Sequence, residues 1–414
     1  MQSAEILLTT QLTTWFELDF GEAVTVLPSS MTFVDADNDG ISEFVAGSVQ
    51  GDLFIFKSHS ARYWKKASDL GMITTVGAGD IMQKKKNVVY VVTGEGSIYT
   101  FMLAPGHISL EEDGTKARDS RAIKPYSHQK IPPNIVMSVL ADIDGDGYPE
   151  ILFGMTDRVV RSFKWVENTN TKEDVKGWFV TLNKWEFAGQ IGNLSSSLSD
   201  GVAEIFVSQP GGSCCRLKAC VSLNTNSILE TNFEPPVYHN PTASRSRNPL
   251  MQTQVLAGVS FKETSGRAVR SRQNSSDKSK NIYAVCSFDG SLSVCNEDTV
   301  LWEHQTSEHL IGVYPFPLRD EFILVAGSGA VYIVNDEKKM LKLLTTESIN
   351  GFTAGLFGTV SQQGDHVNSC AFATICSGGR IFIYHSMNIP NLSMMKSVWR
   401  RPKKQPLPVP NTSI

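Results

Sequence analysis

One pattern recurs along the chain and restricts what it can fold into. An apolar β-rich run leads through a turn containing Gly or Asp into a second β-rich run. Phe44-Val45-Ala46-Gly47, followed by Gly51-Asp52 and then Leu53-Phe54-Ile55-Phe56, is representative. Further copies begin at Val89, Ile151, Ile205, Ile282, Phe322 and Phe372, making seven in all, separated by 40 to 77 residues. Strand hairpins repeating every ~40–50 residues are the signature of propeller blades. One blade cannot bury both of its faces, so blades must stack around a ring. The expected fold is all-β: a single seven-bladed β-propeller over residues 1–390, with 391–414 as a disordered, basic, Pro-rich tail. The longer intervals are assigned to loop insertions near 104–133, 166–188, 222–250 and 263–280. An open ring would leave sheet edges exposed. The stretch from Thr13 to Phe20 is therefore expected to supply the outer strand of the last blade and close the ring. A length of 414 residues alone suggests two or three domains; the repeat reduces that to one.

Composition excludes several classes. Apolar residues make up 41% and the net charge is only −4, which rules out a wholly disordered chain. The same balance argues against nucleic acid as a partner. No segment approaches the ~18–20 apolar residues of a membrane-spanning helix. The first twenty residues lack a basic start followed by an apolar run, so no secretory signal is read there. Seven cysteines without a CxxC fit reduced thiols packed in strands, the expectation for a cytoplasmic protein.

Two acidic loops carry the most specific signal. Asp35, Asp37, Asp39 and Glu43 stand at positions 1, 3, 5 and 9 of one loop, with Gly40 at position 6. Asp142, Asp144, Asp146, Gly147 and Glu150 repeat the arrangement. Alternate carboxylates in a tight loop converge on one point, a donor set that suits Ca²⁺. An EF-hand also needs a bidentate Glu at position 12, where these loops have Ala46 and Phe153. A strand–loop–strand arrangement remains. Asp side chains also cap their own turns without any ion, so both a Ca²⁺ site and a metal-free structural turn stay open. A partial third copy, Asp200-Gly201-Val202-Ala203-Glu204, keeps only the later positions, and no metal is expected there.

These loops, each running into a strand, resemble the FG-GAP repeats of integrin α-subunit propellers. The resemblance implies that the position-7 backbone carbonyls, at Ile41 and Tyr148, would join the ligand set. A longer series runs from Val139 through Gly147, includes 156–165, and continues with Asn183-Lys184-Trp185, Gly189-Gln190 and Val207-Ser208-Gln209-Pro210-Gly211. It is similar to the FG-GAP propeller family that provides the propeller subunit of the KICSTOR complex. That resemblance implies a scaffold with protein partners: kaptin, the seizure-threshold protein and other KICSTOR subunits, and the Rag-directed GATOR complex. It implies peripheral association with the lysosomal membrane and restraint of TOR complex 1 during amino acid or glucose starvation. The alternatives are a Ca²⁺-dependent adhesion propeller and a generic trafficking or ciliary adaptor.

Signs of catalysis are missing. The sequence has no G-x-S-x-G, phosphate-cradling loop or H-E-x-x-H. Its eight histidines are scattered. A non-enzymatic protein that requires no cofactor is expected, with Ca²⁺ the one candidate ion. Two basic segments, 267–280 and 391–414, carry net charges of +4 and +5. They read as solvated loop and tail, or as docking elements for anionic lipid or an acidic partner.

Overall fold

The computed structural model describes residues 5–58, 60–105, 121–168, 177–199, 202–220, 232–233, 237–239, 250–259, 282–296, 299–335, 337–360 and 364–392. Its strands form seven separate sheets. A short 3-10 turn spans Ser377–Gly379. Residues 393–414 of the expected tail and the 263–280 segment lie outside the described residues; Leu392, at the start of that tail, is buried.

Each of the seven sequence copies is the middle hairpin of one sheet. In blade one, Glu43–Ser48 and Leu53–Phe56 are flanked by the inner strand Val26–Val34 and the outer strand Lys65–Ala67. The innermost strands of the other blades are Ile73–Gly79, Ile135–Ala141, Leu194–Ser199, Thr253–Ala257, Leu310–Pro315 and Ile349–Val360. Each lies against the next, and Ile349–Val360 packs on Val26–Val34, which completes a seven-bladed β-propeller.

The core is divided as this architecture requires. A middle strand is buried on both faces, and its alternate residues enter different wedges. Phe44, Ala46, Phe54 and Phe56 pack toward blade seven, against Phe357, Ala371 and Ile383. Val45, Leu53 and Ile55 pack toward blade two, against Ile73, Val89 and Val91. Among the described residues there are seven such clusters, one between each pair of neighbouring blades.

The chain start joins two blades. Trp15–Glu17 pairs antiparallel with Ile381–Tyr384 as the fourth strand of blade seven. The chain then crosses to blade one. Leu18 N donates to Ile381 O at 3.0 Å, and Asp19 N donates to Ala61 O at 2.7 Å. Phe20 lands edge-on against Phe54 and Phe56. Upstream, Glu5–Gln11 adds a fifth, parallel strand to blade six beside Lys339–Leu344.

Three stretches read as loop insertions contain outer strands instead. Ser127–Lys130 completes blade two, Gly177–Glu186 completes blade three, and Asn232–Phe233 and Val237–His239 pair with Ser213–Cys220 in blade four. The first is polar and half-exposed and carries no apolar run, whereas the second buries Phe179 and Trp185 among otherwise partly exposed residues. Ser127-His128-Gln129-Lys130 alternates half-buried and exposed positions.

Candidate functional site

Both acidic loops connect the innermost strand of a blade to its second strand. The first spans Val34 to Glu43 in blade one, and the second spans Ala141 to Glu150 in blade three. Turn chemistry shapes them alike. Asp35 accepts hydrogen bonds from Asp39 N at 3.1 Å and Gly40 N at 3.0 Å. Asp142 accepts from Gly145 N and Gly147 N, both at 2.8 Å. Gly40 and Gly147 have φ of 89° and 88°, values glycine adopts without strain. The position-9 acids fold back in the same manner. Glu43 Oε2 accepts from Ala36 N at 2.8 Å, and Glu150 Oε2 from Ile143 N at 3.0 Å. At position 7, Ile41 N donates to Asp39 at 2.8 Å and Tyr148 N to Asp146 at 2.9 Å.

The structure gathers the carboxylates of Asp35, Asp37 and Asp39, and of Asp142, Asp144 and Asp146, with ligand atoms within 4.8 Å of one another in each group. It also places a lysine at each point of convergence. Lys57 Nζ lies 2.6 Å from Asp37, 2.9 Å from Asp39 and 3.5 Å from Glu43. Lys164 Nζ contacts Asp144 and lies 2.6 Å from Asp146 and 3.5 Å from Glu150. Asp37 and Glu43 are 0% and 1% exposed, and Asp144 and Glu150 are 5% and 1%, so these are ion pairs of the interior. Lys57 Nζ also stands 4.6 Å over the Trp64 ring.

Electrostatics follow from this geometry. Burial pushes the Glu43 and Glu150 carboxyls up to about 7, against the pull of the Ala36 and Ile143 amides. Burial also works against the ammonium of Lys57, but hydrogen bonds to Asp37 and Asp39 outweigh it and hold its pKa above the ordinary lysine value. Lys164 is raised in the same way by Asp144 and Asp146. The aspartates are therefore the main partners of each ammonium, and the glutamate, at 3.5 Å, is the more distant member.

This arrangement does not fit Ca²⁺. The ion needs six to eight oxygens at 2.3–2.6 Å, and a lysine ammonium stands where the aspartates converge. Both oxygens of Asp35 and of Asp142 are committed to backbone amides.

Sequence reasoning missed the lysines because they lie across the hairpin from the loops, Lys57 just after the strand Leu53–Phe56 and Lys164 within the strand Val159–Glu167. The register pairs Phe44 with Phe56 and Ile151 with Phe163, which brings the next residues outward, Glu43 and Lys57 or Glu150 and Lys164, side by side. A signal was present: in both copies the lysine follows the loop glutamate by fourteen residues.

The loops also tie blades together. Asn38 and Asn87 exchange side-chain and backbone hydrogen bonds of 2.7 and 3.1 Å, linking loop one to blade two. Asn368 of blade seven donates to Gly40 O at 2.9 Å and accepts from Ser42 N at 2.8 Å. Gln83 of blade two reaches Asp146 at 3.3 Å.

Comparison with known proteins places this architecture. Among solved structures, the chain is similar to BBS1N, crystallised in complex with ARL6DN. The TM-score is 0.56 at 11% identity, covering 92% of this chain and 99% of that one. Sqt1 of Saccharomyces cerevisiae gives 0.52 at 11% identity, covering 94% and 100%. At such identities the likeness concerns the fold. Two relatives are closer in sequence. KICSTOR complex protein ITFG2 of Mus musculus is 29% identical over 393 residues, covering 91% of this chain and 84% of its own length. The Bos taurus protein of the same name is 29% identical over 385 residues, covering 89% and 70%. The family model for integrin-alpha FG-GAP repeat-containing protein 2 matches residues 57–389. The chain belongs to the integrin-alpha FG-GAP repeat-containing protein 2 family.

Proposed function

We propose that this chain is the propeller subunit of a KICSTOR-like complex and acts as a non-enzymatic scaffold. The observation that carries the reading is the family match, together with two relatives named for that complex and aligned over about nine-tenths of this chain. The fold suits the role. A propeller presents loops on two faces of a ring of stacked blades. The acidic loops, the most chemically distinctive residues described, have their charge spent on internal lysines.

In this reading the partners are the other KICSTOR subunits, kaptin and the seizure-threshold protein among them. The assembled complex brings the Rag-directed GATOR complex to the lysosomal surface and restrains TOR complex 1 when amino acids or glucose are scarce. Association with the membrane is peripheral; among the described residues no helix is long and apolar enough to cross one. Affinity purification with mass spectrometry from starved cells tests the proposal. Recovery of kaptin together with the seizure-threshold protein is expected. Coat or ciliary components in their place would refute it.

A further inference from the structure

We propose that Lys57 and Lys164 are built-in counter-ions that take the place of a divalent cation in the two acidic loops, so that both loops fasten their blades without a metal. The geometry carries this twice, in blades one and three. In each, a half-buried ammonium reaches the position-3 and position-5 aspartates and stands 3.5 Å from the position-9 glutamate. These are donors that would otherwise converge on a bound ion. Position 1 is turned to backbone amides in both loops.

A cluster of carboxylates whose position-3 and position-9 members are buried is unstable with no counter-charge, because its members repel one another and the buried ones have lost their hydration. Some cation must therefore sit among them. A tethered ammonium serves at every ion concentration, whereas a soluble ion occupies the site only in proportion to its supply. The sequence contains a third instance of the spacing. Glu204 pairs in register with Lys218, again fourteen residues on, in the blade whose loop has lost the early aspartates. The glutamate–lysine spacing and register are thus retained where the metal-type loop is not. Because the blade-one loop also bonds to Asn87 and Asn368 of neighbouring blades, and Gln83 of blade two reaches Asp146 of the blade-three loop, satisfying their charge holds the ring together as well as the turn.

Thermal melting of the full chain, in EDTA and in millimolar Ca²⁺, tests the proposal. The wild type is expected to melt within 1 °C or so in the two buffers. The double variant Lys57→Met, Lys164→Met should melt about 4–6 °C lower per site in EDTA, from the cost of an orphaned buried charge spread over a chain of this size. It should then recover at least half of that loss in Ca²⁺, which enters the vacated cages. Lys164→Met alone serves if the double variant fails to fold. Terbium luminescence sensitised by Trp64 reads the blade-one cage directly in Lys57→Met. A wild type stabilised by Ca²⁺ would overturn the proposal. So would a lysine variant as stable as wild type, or a destabilised one that Ca²⁺ leaves unchanged.

Discussion

Replacing Phe20 with alanine should open the seam between blades seven and one. Phe20 follows the strand that completes blade seven, yet its ring is 7% exposed against blade one. Its centroid lies 5.0 Å from Phe54 and 5.2 Å from Phe56, at interplanar angles of 86° and 78°. A core Phe→Ala change costs about 3–5 kcal/mol through lost transfer energy and the cavity left behind. The two edge-to-face contacts favour the upper half of that range. Native domains are stable by only about 5–15 kcal/mol, so this one side chain accounts for about a quarter of it or more. Trp15, five residues earlier, is the control. It is 41% exposed and meets Phe382 at 4.9 Å, and Trp15→Ala should cost about 1 kcal/mol. Urea titration followed by circular dichroism, at fixed m-value, gives both numbers. If Phe20→Ala fell within 1 kcal/mol of wild type, or below Trp15→Ala, the closure argument would fail.

Other predictions rest on separate features. A Cβ on Gly355 would lie 2.4 Å from Phe33 Cβ in the adjoining blade, and Gly355→Ala should destabilise by about 1–3 kcal/mol on chemical denaturation. Burial pushes the thiols of Cys215, Cys286 and Cys295 up to about 12, so almost none is thiolate at pH 8. These cysteines should resist a disulfide-exchange reagent in the native state and react only once denaturant is added. Burial also makes the folded chain hold the Glu43 and Glu150 protons more tightly than the unfolded chain, whose glutamates titrate near 4.5. Their contribution is therefore most favourable below that value, declines as pH rises toward about 7, and is flat above. The stability difference between wild type and Glu43→Gln, Glu150→Gln should show that slope, and a pH-independent difference would contradict the burial argument.

The parts of the fold that burial writes into sequence were legible, and the rest was not. Middle strands such as Glu43–Ser48 and Val88–Thr93 are buried at every position, which produces unbroken apolar runs. Their hairpins revealed seven blades. The outer strand Ser127–Lys130 alternates half-buried and exposed positions and leaves no such run, so the sequence reads as an insertion there. The parallel strand Glu5–Gln11 was missed for a different reason. Its partner, Lys339–Leu344, lies more than three hundred residues away, and no local pattern announces that pairing. At the acidic loops, the spacing of aspartates showed where charge would converge. The cation that meets it lies across a hairpin, where only the register of Phe44 on Phe56 and Ile151 on Phe163 brings it near. Reading a loop by itself therefore suggested an ion, while reading the blade supplied a lysine.

Reconstitution with purified components tests the scaffold account most directly. The full chain, mixed with the other KICSTOR subunits and run over size exclusion with light scattering, should elute as one stoichiometric complex, with the same profile in EDTA and in millimolar Ca²⁺. Separate elution of the chain in both buffers would contradict the account.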